Sequence, residues 1–361
     1  MITHLELFAG IGGFRHAIDL FGQDTQTHVK CVGFSEIDDY ATKTYKSNYQ
    51  TSGEIEMGDI VHYTSNAANI ENLPNFTILT GGFPCQSFSM MGKMHGFNDI
   101  RGNVFFRIVD ILNIKQPPFI LLENVRNLRT HDKGNTFKTI TEAIHNAGYP
   151  YLYHDIFNTE NFGLAQTRNR VYIFASRFKL GDNFQFDTKV VKAHFDNIKK
   201  TLLLNQSTVL DVLSKHVEPK YYLSETLKPT ILANGSKNFK SKSEINQLIA
   251  RPLTATMVKM HRACQDNYFS DEFLCNADPK NYLKTTKFTK EELAKQHIRK
   301  LTPVEAFALQ GFESSFATRA IDAGISNHQL YKQAGNAVSV NTVYAILHYL
   351  FVKQNIMQYV L

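Results

Sequence analysis

The chain has 361 residues, 43% hydrophobic and 20% charged, with a net charge of +6; that length suits roughly two domains of ~150 residues, each with a buried core. Its four cysteines (Cys31, Cys85, Cys264, Cys275) form no CxxC pair, which excludes a secreted disulfide scaffold and leaves no metal site expected. No run approaches the ~18–20 apolar residues that span a bilayer, and Met1-Ile2-Thr3-His4 lacks the basic start of a signal peptide, so a soluble cytoplasmic protein is expected.

Leu5–Phe8 predicts a first strand and 13–21 a first helix, joined by Ala9-Gly10-Ile11-Gly12-Gly13. Glycines at such a turn permit positive φ and let a ligand approach the backbone. Val29–Phe34 predicts the second strand, followed by a helix over 38–48. Glu36 lies 26 residues after Gly10 (36 − 10), where a carboxylate accepts from ribose hydroxyls. Asp59, in Gly58-Asp59-Ile60, suits an adenine amino group. The glycine turn alone fits a tight structural turn equally well. With Glu36 and Asp59 it points to a nucleoside-type cofactor, either NAD or S-adenosylmethionine.

Thr77–Leu79 predicts a strand that runs into Gly81-Gly82-Phe83-Pro84-Cys85-Gln86. A free cysteine is ordinarily a small buried hydrophobe. Here the glycines and the φ-fixing proline favour a thiol presented on a stiff turn. The segment 86–102, rich in Gly, Ser and Met, has the length of a lid. A helical pattern over 102–114 follows. The strand Phe119–Leu122 then ends in Glu123. Phe137, Ile140, Ile144 and Ala147 recur at helical spacing over 135–147, before strands at Tyr151–Phe157 and Val171–Ala175. On an extended backbone Arg168 and Arg170 face one side, which fits a phosphate or base carbonyl, or a plain surface pair. Such strand–helix alternation predicts an α/β fold, a doubly wound and mostly parallel sheet with ligands at the strands' carboxyl ends.

The texture changes over 176–298, where 20 Lys+Arg face 13 Asp+Glu, a balance of +7; the remainder carries 19 and 20, or −1. A basic segment on a near-neutral body fits either a polyanion partner or a solvated lysine-rich surface. Regular pattern returns at Leu301-Thr302-Pro303-Val304-Glu305. Thr302 as N-cap, Pro303 at the first helical position and Glu305 predict a capping box there. The stretch 337–352 predicts a final helix.

Five blocks, in order, carry a family likeness: Phe8-Ala9-Gly10-Ile11-Gly12-Gly13, Gly81-Gly82-Phe83-Pro84-Cys85-Gln86, Glu123-Asn124-Val125, Gln166-x-Arg168-x-Arg170 and Gln333-Ala334-Gly335-Asn336-Ala337-Val338. The chain resembles the DNA (cytosine-5) methyltransferases in their compact bacterial restriction–modification form. The likeness covers nearly all of 1–175 and 299–361. It departs from the usual pattern at Ile37, where an aromatic often follows the ribose-binding acid, and at Ala337, where a serine is usual.

The resemblance implies S-adenosyl-L-methionine as cofactor, with S-adenosyl-L-homocysteine as product. It places that cofactor against Phe8, Gly10, Gly12, Gly13, Phe14, Glu36, Ile37, Asp59, Ile60, Pro84, Val104, Asn336 and Val338. Cys85 would add to C6 of a cytosine rotated out of its duplex, Glu123 would act at N3, and Arg168 and Arg170 would hold O2 and a phosphate. Gln86, Ser89, Arg251, Thr254 and Thr256 would contact DNA. Residues 1–175 plus 299–361 would form a Rossmann-like catalytic domain, with 176–298 inserted as a target-recognition domain and duplex DNA in a cleft between them. The expected partner is double-stranded DNA, with a companion endonuclease sharing the site without stable binding. A monomer associated with the nucleoid is expected. A nicotinamide oxidoreductase would share the glycine turn and Glu36 without needing Pro84-Cys85. A non-catalytic DNA-binding relative would not need Cys85 and Glu123 intact. A transfer-RNA cytosine methyltransferase usually carries a Cys-Phe-Thr signature, which the variable segment lacks.

Overall fold

A computed structural model of the chain describes residues 1–84, 104–199, 205–235, 240–259 and 261–360. They pack as two compact units. The first comprises Met1–Asn158, Asn169–Thr201 and Val338–Leu361; the second comprises Thr159–Arg168 and Leu202–Ala337. This packing differs from the expected boundaries at 175 and 299. Residues 299–337 belong with the second unit, and the segment after 176 stays with the first through Thr201.

The first unit is built on a seven-stranded sheet of order β3-β2-β1-β4-β5-β7-β6. Its strands are β1 (Ile2–Leu7), β2 (Val29–Phe34), β3 (Ile55–Glu56), β4 (Ile78–Gly82), β5 (Phe119–Val125), β6 (Tyr151–Asn158) and β7 (Asn169–Ser176). β1 to β5 are parallel, whereas β7 runs antiparallel to both β5 and β6. The expected mostly parallel sheet is therefore present. The unbroken apolar run Phe119-Ile120-Leu121-Leu122 is fully buried, as a central strand covered on both faces must be.

Helices α1 (Gly13–Thr25), α2 (Asp39–Asn48), α3 (Ile60–Thr64), α4 (Ala67–Glu71), α5 (Val104–Lys115), α6 (Asn135–Asn146), α7 (Thr188–Ile198) and α8 (Val340–His348) flank the sheet. Leu5, Leu79, Ile120 and Leu122 pack with Phe105, Ile108 and Ile111 of α5 and with Ile140 and Ile144 of α6 in one core. Phe14, Ala17, Ile18 and Phe21 form the buried stripe of α1. The ring nitrogens of His194 and His348, 2.8 Å apart, join α7 to α8.

Strand order reverses direction at β1 and β4, which are adjacent although β2 and β3 intervene in sequence. Loops that leave neighbouring strands in opposite directions at such a point open a crevice above the carboxyl ends. In the second unit, Leu223, Ile231, Leu232, Ile245, Ala263, Tyr268 and Ile298 form a separate small core. A two-stranded antiparallel ribbon, β8 (Tyr268–Ser270) and β9 (Ile298–Lys300), crosses it. The predicted capping box is present: Glu305 N donates to Thr302 Oγ1 (3.2 Å) and Thr302 N to Glu305 Oε2 (2.7 Å).

Candidate active site

The turn after β1 is held in a conformation few sequences allow. Phe8, Gly10 and Gly12 have φ of +54°, +57° and +87°. A non-glycine residue with positive φ is uncommon, and such residues cluster at functional sites. Phe8 N donates to Ser35 Oγ (3.2 Å) and Ala9 N to Ser35 O (2.8 Å), which ties the turn to the end of β2. A Cβ on Gly12 would stand 2.5 Å from the Tyr49 ring, and one on Gly13 2.9 Å from Val338 O, so neither position accommodates a side chain. A Cβ on Gly10 would meet nothing within 4 Å, so here the backbone is open to a ligand.

A buried polar network underlies the turn. Arg15 Nη1 donates to both Glu54 oxygens (2.7 and 2.8 Å), and its guanidinium lies 4.9 Å from the centre of the Tyr49 ring. Tyr49 Oη donates to Gly12 O at 2.9 Å. Glu6 accepts from Arg15 N and from Tyr45 Oη, both at 3.3 Å. Burial pushes the Glu6 carboxyl up to about 8.

The two acids expected to read a nucleoside stand at strand and loop ends. Glu36 Oε2 accepts from Gly10 N (2.7 Å), and its Oε1 accepts from Ile37 N (2.9 Å) and Asp38 N (2.8 Å). A carboxylate has about four acceptor positions, so one remains for a ligand hydroxyl. Ile37 beside it is 72% exposed, an apolar side chain without cover. Asp59 is exposed and caps α3 by accepting from Val61 N (2.9 Å). Phe14 and Ile60 are buried. Val104 opens α5 and packs on the core.

The ends of β4 and β5 meet in register, Gly82 opposite Glu123. Glu123 Oε1 pairs with Arg170 Nε at 3.0 Å, and both side chains are largely buried. Oε2 of Glu123 lies on the Gly82 side, 3.5 Å from where a Cβ would stand. Val338 Cγ2 is 3.4 Å from that same point, so Val338 touches both the glycine turn and the end of β4. Asn124, 3% exposed, donates from Nδ2 to Phe83 O (2.7 Å) and accepts at Oδ1 from Val125 N (2.8 Å). It thereby fixes the backbone immediately before Pro84, which is exposed. Cys85, Gln86, Ser89 and the expected lid 86–102 lie outside the described residues.

The expectation that Arg168 and Arg170 act as a pair on one face is corrected. β7 begins at Asn169, so no strand carries both. Arg168 is 3% exposed, and its guanidinium donates to Leu253 O (2.8 Å), Gly335 O (3.1 Å) and Ala337 O (3.0 Å). A fork that satisfies three carbonyls frames the second unit. Gln166 does similar work: it donates to Leu309 O (2.9 Å) and accepts from Leu253 N (2.9 Å). These two residues bind the stretch around Leu253 to the late block.

Of the other expected DNA contacts, Arg251 is half-buried and donates from Nε to Ala263 O (3.1 Å), while Thr254 and Thr256 are exposed. Asn336 ends the helix Asn327–Asn336, exposed, in the second unit. The residues brought together in the first unit are thus Phe8, Gly10, Gly12, Gly13, Glu36 and Val338 around one turn, with Glu123 and Arg170 at the neighbouring strand end. Sequence reasoning missed Asn124, Tyr49 and Arg15 as positioning residues. Asn124 lay inside a quoted block, but its partner, a carbonyl 41 residues earlier, leaves no local signal.

An open backbone turn with positive φ, a partly engaged carboxylate and an exposed aliphatic side chain fit an adenosyl group with its ribose and adenine. A carboxyl group steadied by a guanidinium at the adjoining strand end can, when protonated, donate a hydrogen bond to a ring nitrogen. The family model for C-5 cytosine-specific DNA methylases matches residues 2–351. The chain is 36% identical over 342 residues to the type II methyltransferase M1.ScrFI of Lactococcus lactis subsp. cremoris, covering 95% of this chain and 76% of that protein. It is also 36% identical over 343 residues to the type II methyltransferase M.HaeII of Haemophilus aegyptius, covering 95% and 90%. Among solved structures, the Entamoeba histolytica methyltransferase EhMeth superimposes with a TM-score of 0.71 at 21% identity, over 98% of each chain. Dnmt2 of S. pombe does so with a TM-score of 0.69 at 18% identity, over 98% of this chain and all of that one; likeness at this identity speaks to fold alone. With a family model matched along almost its whole length, this chain belongs to the C-5 cytosine-specific DNA methylases.

Proposed function

We propose that the chain methylates C5 of a cytosine flipped out of a specific duplex DNA sequence, as the modification enzyme of a type II restriction–modification system. S-adenosyl-L-methionine, when bound, supplies the electrophilic methyl group. The observation that carries this reading is the juxtaposition of Gly82 and Glu123 at adjoining strand ends, with Arg170 on Glu123 and Asn124 on Phe83 O. It sets a carboxyl group beside the backbone that leads directly into Pro84-Cys85.

C5 of cytosine is a poor nucleophile. In the proposed sequence the Cys85 thiolate forms a bond to C6, and the ring's π electrons shift toward C5 and N3. Glu123, when protonated at Oε2, donates to N3 and steadies that charge, while Arg170 holds the carboxyl in place through Oε1. C5 takes the methyl group as the donor's S–CH3 bond breaks, leaving S-adenosyl-L-homocysteine; a base then removes the C5 proton, and the S–C6 bond breaks as the ring double bond reforms. Glu36 receives the ribose hydroxyls, Asp59 the adenine amino group, and Ile37 covers the adenine in place of an aromatic. Val338 and the glycine turn bound the methionine end. Rotating the target nucleotide out of the stack costs a few kcal/mol.

In this reading the second unit reads sequence, with Arg251, Thr254 and Thr256 among its DNA contacts. The companion endonuclease, by analogy with the type II relatives, acts on the same site without binding this chain. That the relatives M1.ScrFI and M.HaeII are type II methyltransferases supports the type II assignment. The test is bisulfite sequencing of plasmid DNA from a host that expresses the chain. Conversion-resistant cytosines at one sequence context are expected, and lost in Cys85→Ser; a plasmid without methylated cytosines contradicts the reading.

A further inference from the structure

The second unit contains a turn whose backbone is strained. Met257 N donates to Thr254 O (3.1 Å) and Lys259 N to Thr256 O (3.4 Å), giving two overlapping tight turns. Between them Val258 has φ +59°. A β-branched side chain in the left-handed region is a true outlier, and it persists only where the surroundings over-determine it.

Two adjacent buried side chains supply that constraint. Asp266, 6% exposed, accepts from Val258 N at 2.7 Å through Oδ2 and from Asn267 N at 2.9 Å through Oδ1. Asn267, also buried, accepts from Arg251 N (2.8 Å) and donates to Arg251 O (3.2 Å). Together they grip both ends of the stretch from Arg251 to Val258, and they lead directly into β8. The middle is seated too: a Cβ on Gly335 would stand 2.1 Å from the Thr254 carbonyl carbon, so the two backbones touch. His261 Nε2 lies 2.9 Å from Thr256 O, and Tyr268 Oη donates to His261 O (2.7 Å). Thr254, Thr256 and Lys259 remain exposed, and the two threonine hydroxyls are 3.4 Å apart.

Burying a carboxylate is unfavourable unless its oxygens are engaged. Here both oxygens are engaged by backbone amides, and one of those amides belongs to the strained residue. We propose that Asp266 is a specificity-positioning residue: by holding Val258 in its left-handed turn it fixes the directions in which Thr254, Thr256 and Lys259 meet DNA. Threonine offers a hydroxyl that both donates and accepts, together with a methyl that suits the thymine methyl; lysine suits a phosphate. The proposal rests on the reading that this unit contacts the DNA sequence.

The test uses the full chain and a duplex whose methylated site has been identified by bisulfite sequencing. Asp266→Ala raises KM for that duplex about tenfold and extends methylation to sites that differ by one base pair. Its kcat at saturating DNA and its affinity for S-adenosyl-L-methionine stay within about twofold. Asp266→Asn recovers most of the loss, because an amide oxygen still accepts from Val258 N. Adding Val258→Gly to Asp266→Ala also restores specificity, since glycine adopts this φ without the steric penalty. Should Asp266→Ala fail to fold, Val258→Pro decides the matter: at a half-buried position it removes the N–H and forbids the φ. A folded Val258→Pro or Asp266→Ala with unchanged KM and an unchanged set of sites overturns the proposal, as does absence of rescue by both Asp266→Asn and Val258→Gly. A wild-type chain that leaves DNA unmethylated overturns instead the reading beneath it.

Discussion

Replacing Asn124 by alanine isolates the link between strand packing and chemistry. Asn124 Nδ2 donates to Phe83 O at 2.7 Å, and Oδ1 accepts from Val125 N at 2.8 Å, with the side chain 3% exposed. Alanine removes both bonds. Each lost bond is worth about 1 kcal/mol net, so unfolding stability falls by about 2 kcal/mol. The larger consequence is kinetic. Phe83 and Pro84 immediately precede the proposed nucleophile, and a displacement of about 1 Å at a reacting group costs on the order of 100-fold. Methyl transfer from labelled donor to cognate duplex, with both substrates saturating, is expected to fall by about that factor. Affinity for S-adenosyl-L-methionine, whose proposed contacts centre on the turn after β1, is expected to hold. Asn124→Asp keeps the acceptor for Val125 N, loses the donor to Phe83 O, and is expected to behave like alanine. A variant with lowered melting temperature and wild-type kcat would refute the reasoning, since Asn124 would then serve the fold alone.

Glu123→Gln retains an oxygen for Arg170 and is expected to lose at least about 100-fold in kcat while KM for DNA changes little; equal losses in both would recast Glu123 as structural. Gly12→Ala forces a side chain onto φ +87° and to within 2.5 Å of the Tyr49 ring. Its affinity for S-adenosyl-L-methionine, measured by calorimetry, is expected to weaken about tenfold or more. Glu6 gives a pH dependence. Its folded value of about 8 stands above the ordinary 4.5, so the folded state holds a proton that the unfolded state releases. The group's contribution to stability is full below pH 4.5 and is lost as pH rises through 8. Over that window wild type is expected to lose on the order of 5 kcal/mol more than Glu6→Gln in urea unfolding; parallel pH profiles would contradict this.

Much of the first unit could be read from the sequence because its strands are defined by local pattern. Phe119-Ile120-Leu121-Leu122 has no polar residue until Glu123, and only a central strand buries such a run. The glycines after β1 and Glu36 after β2 were legible for the same reason: a strand end announces the loop that follows. The two-residue β3 is too short to carry a period. The antiparallel β7 between β5 and β6 follows from sheet pairing rather than from its own residues.

Arg168 shows why alternation can mislead. Its spacing from Arg170 implied one shared face, yet the strand begins between them and Arg168 serves carbonyls of residues 253, 335 and 337. The expected boundary at 299 likewise differs from the division into compact units. The renewed helical pattern at 302 marks a helix, not the unit that the helix joins, and its Glu305 pairs with Arg299 at 2.9 Å inside the second unit. Asp266 and Asn124 were silent in the sequence because each matters through a backbone atom that folding brings to it.

The central claim is that Cys85 bonds transiently to the cytosine ring. The most direct measurement mixes the full chain with S-adenosyl-L-methionine and a cognate duplex bearing 5-fluorocytosine at the target base, and resolves the products on a denaturing gel. Fluorine at C5 leaves no proton to remove, so the account predicts a protein–DNA adduct that survives denaturation, requires the methyl donor and is lost in Cys85→Ser. Methylation of the unmodified duplex with no adduct on the fluorinated one would contradict it.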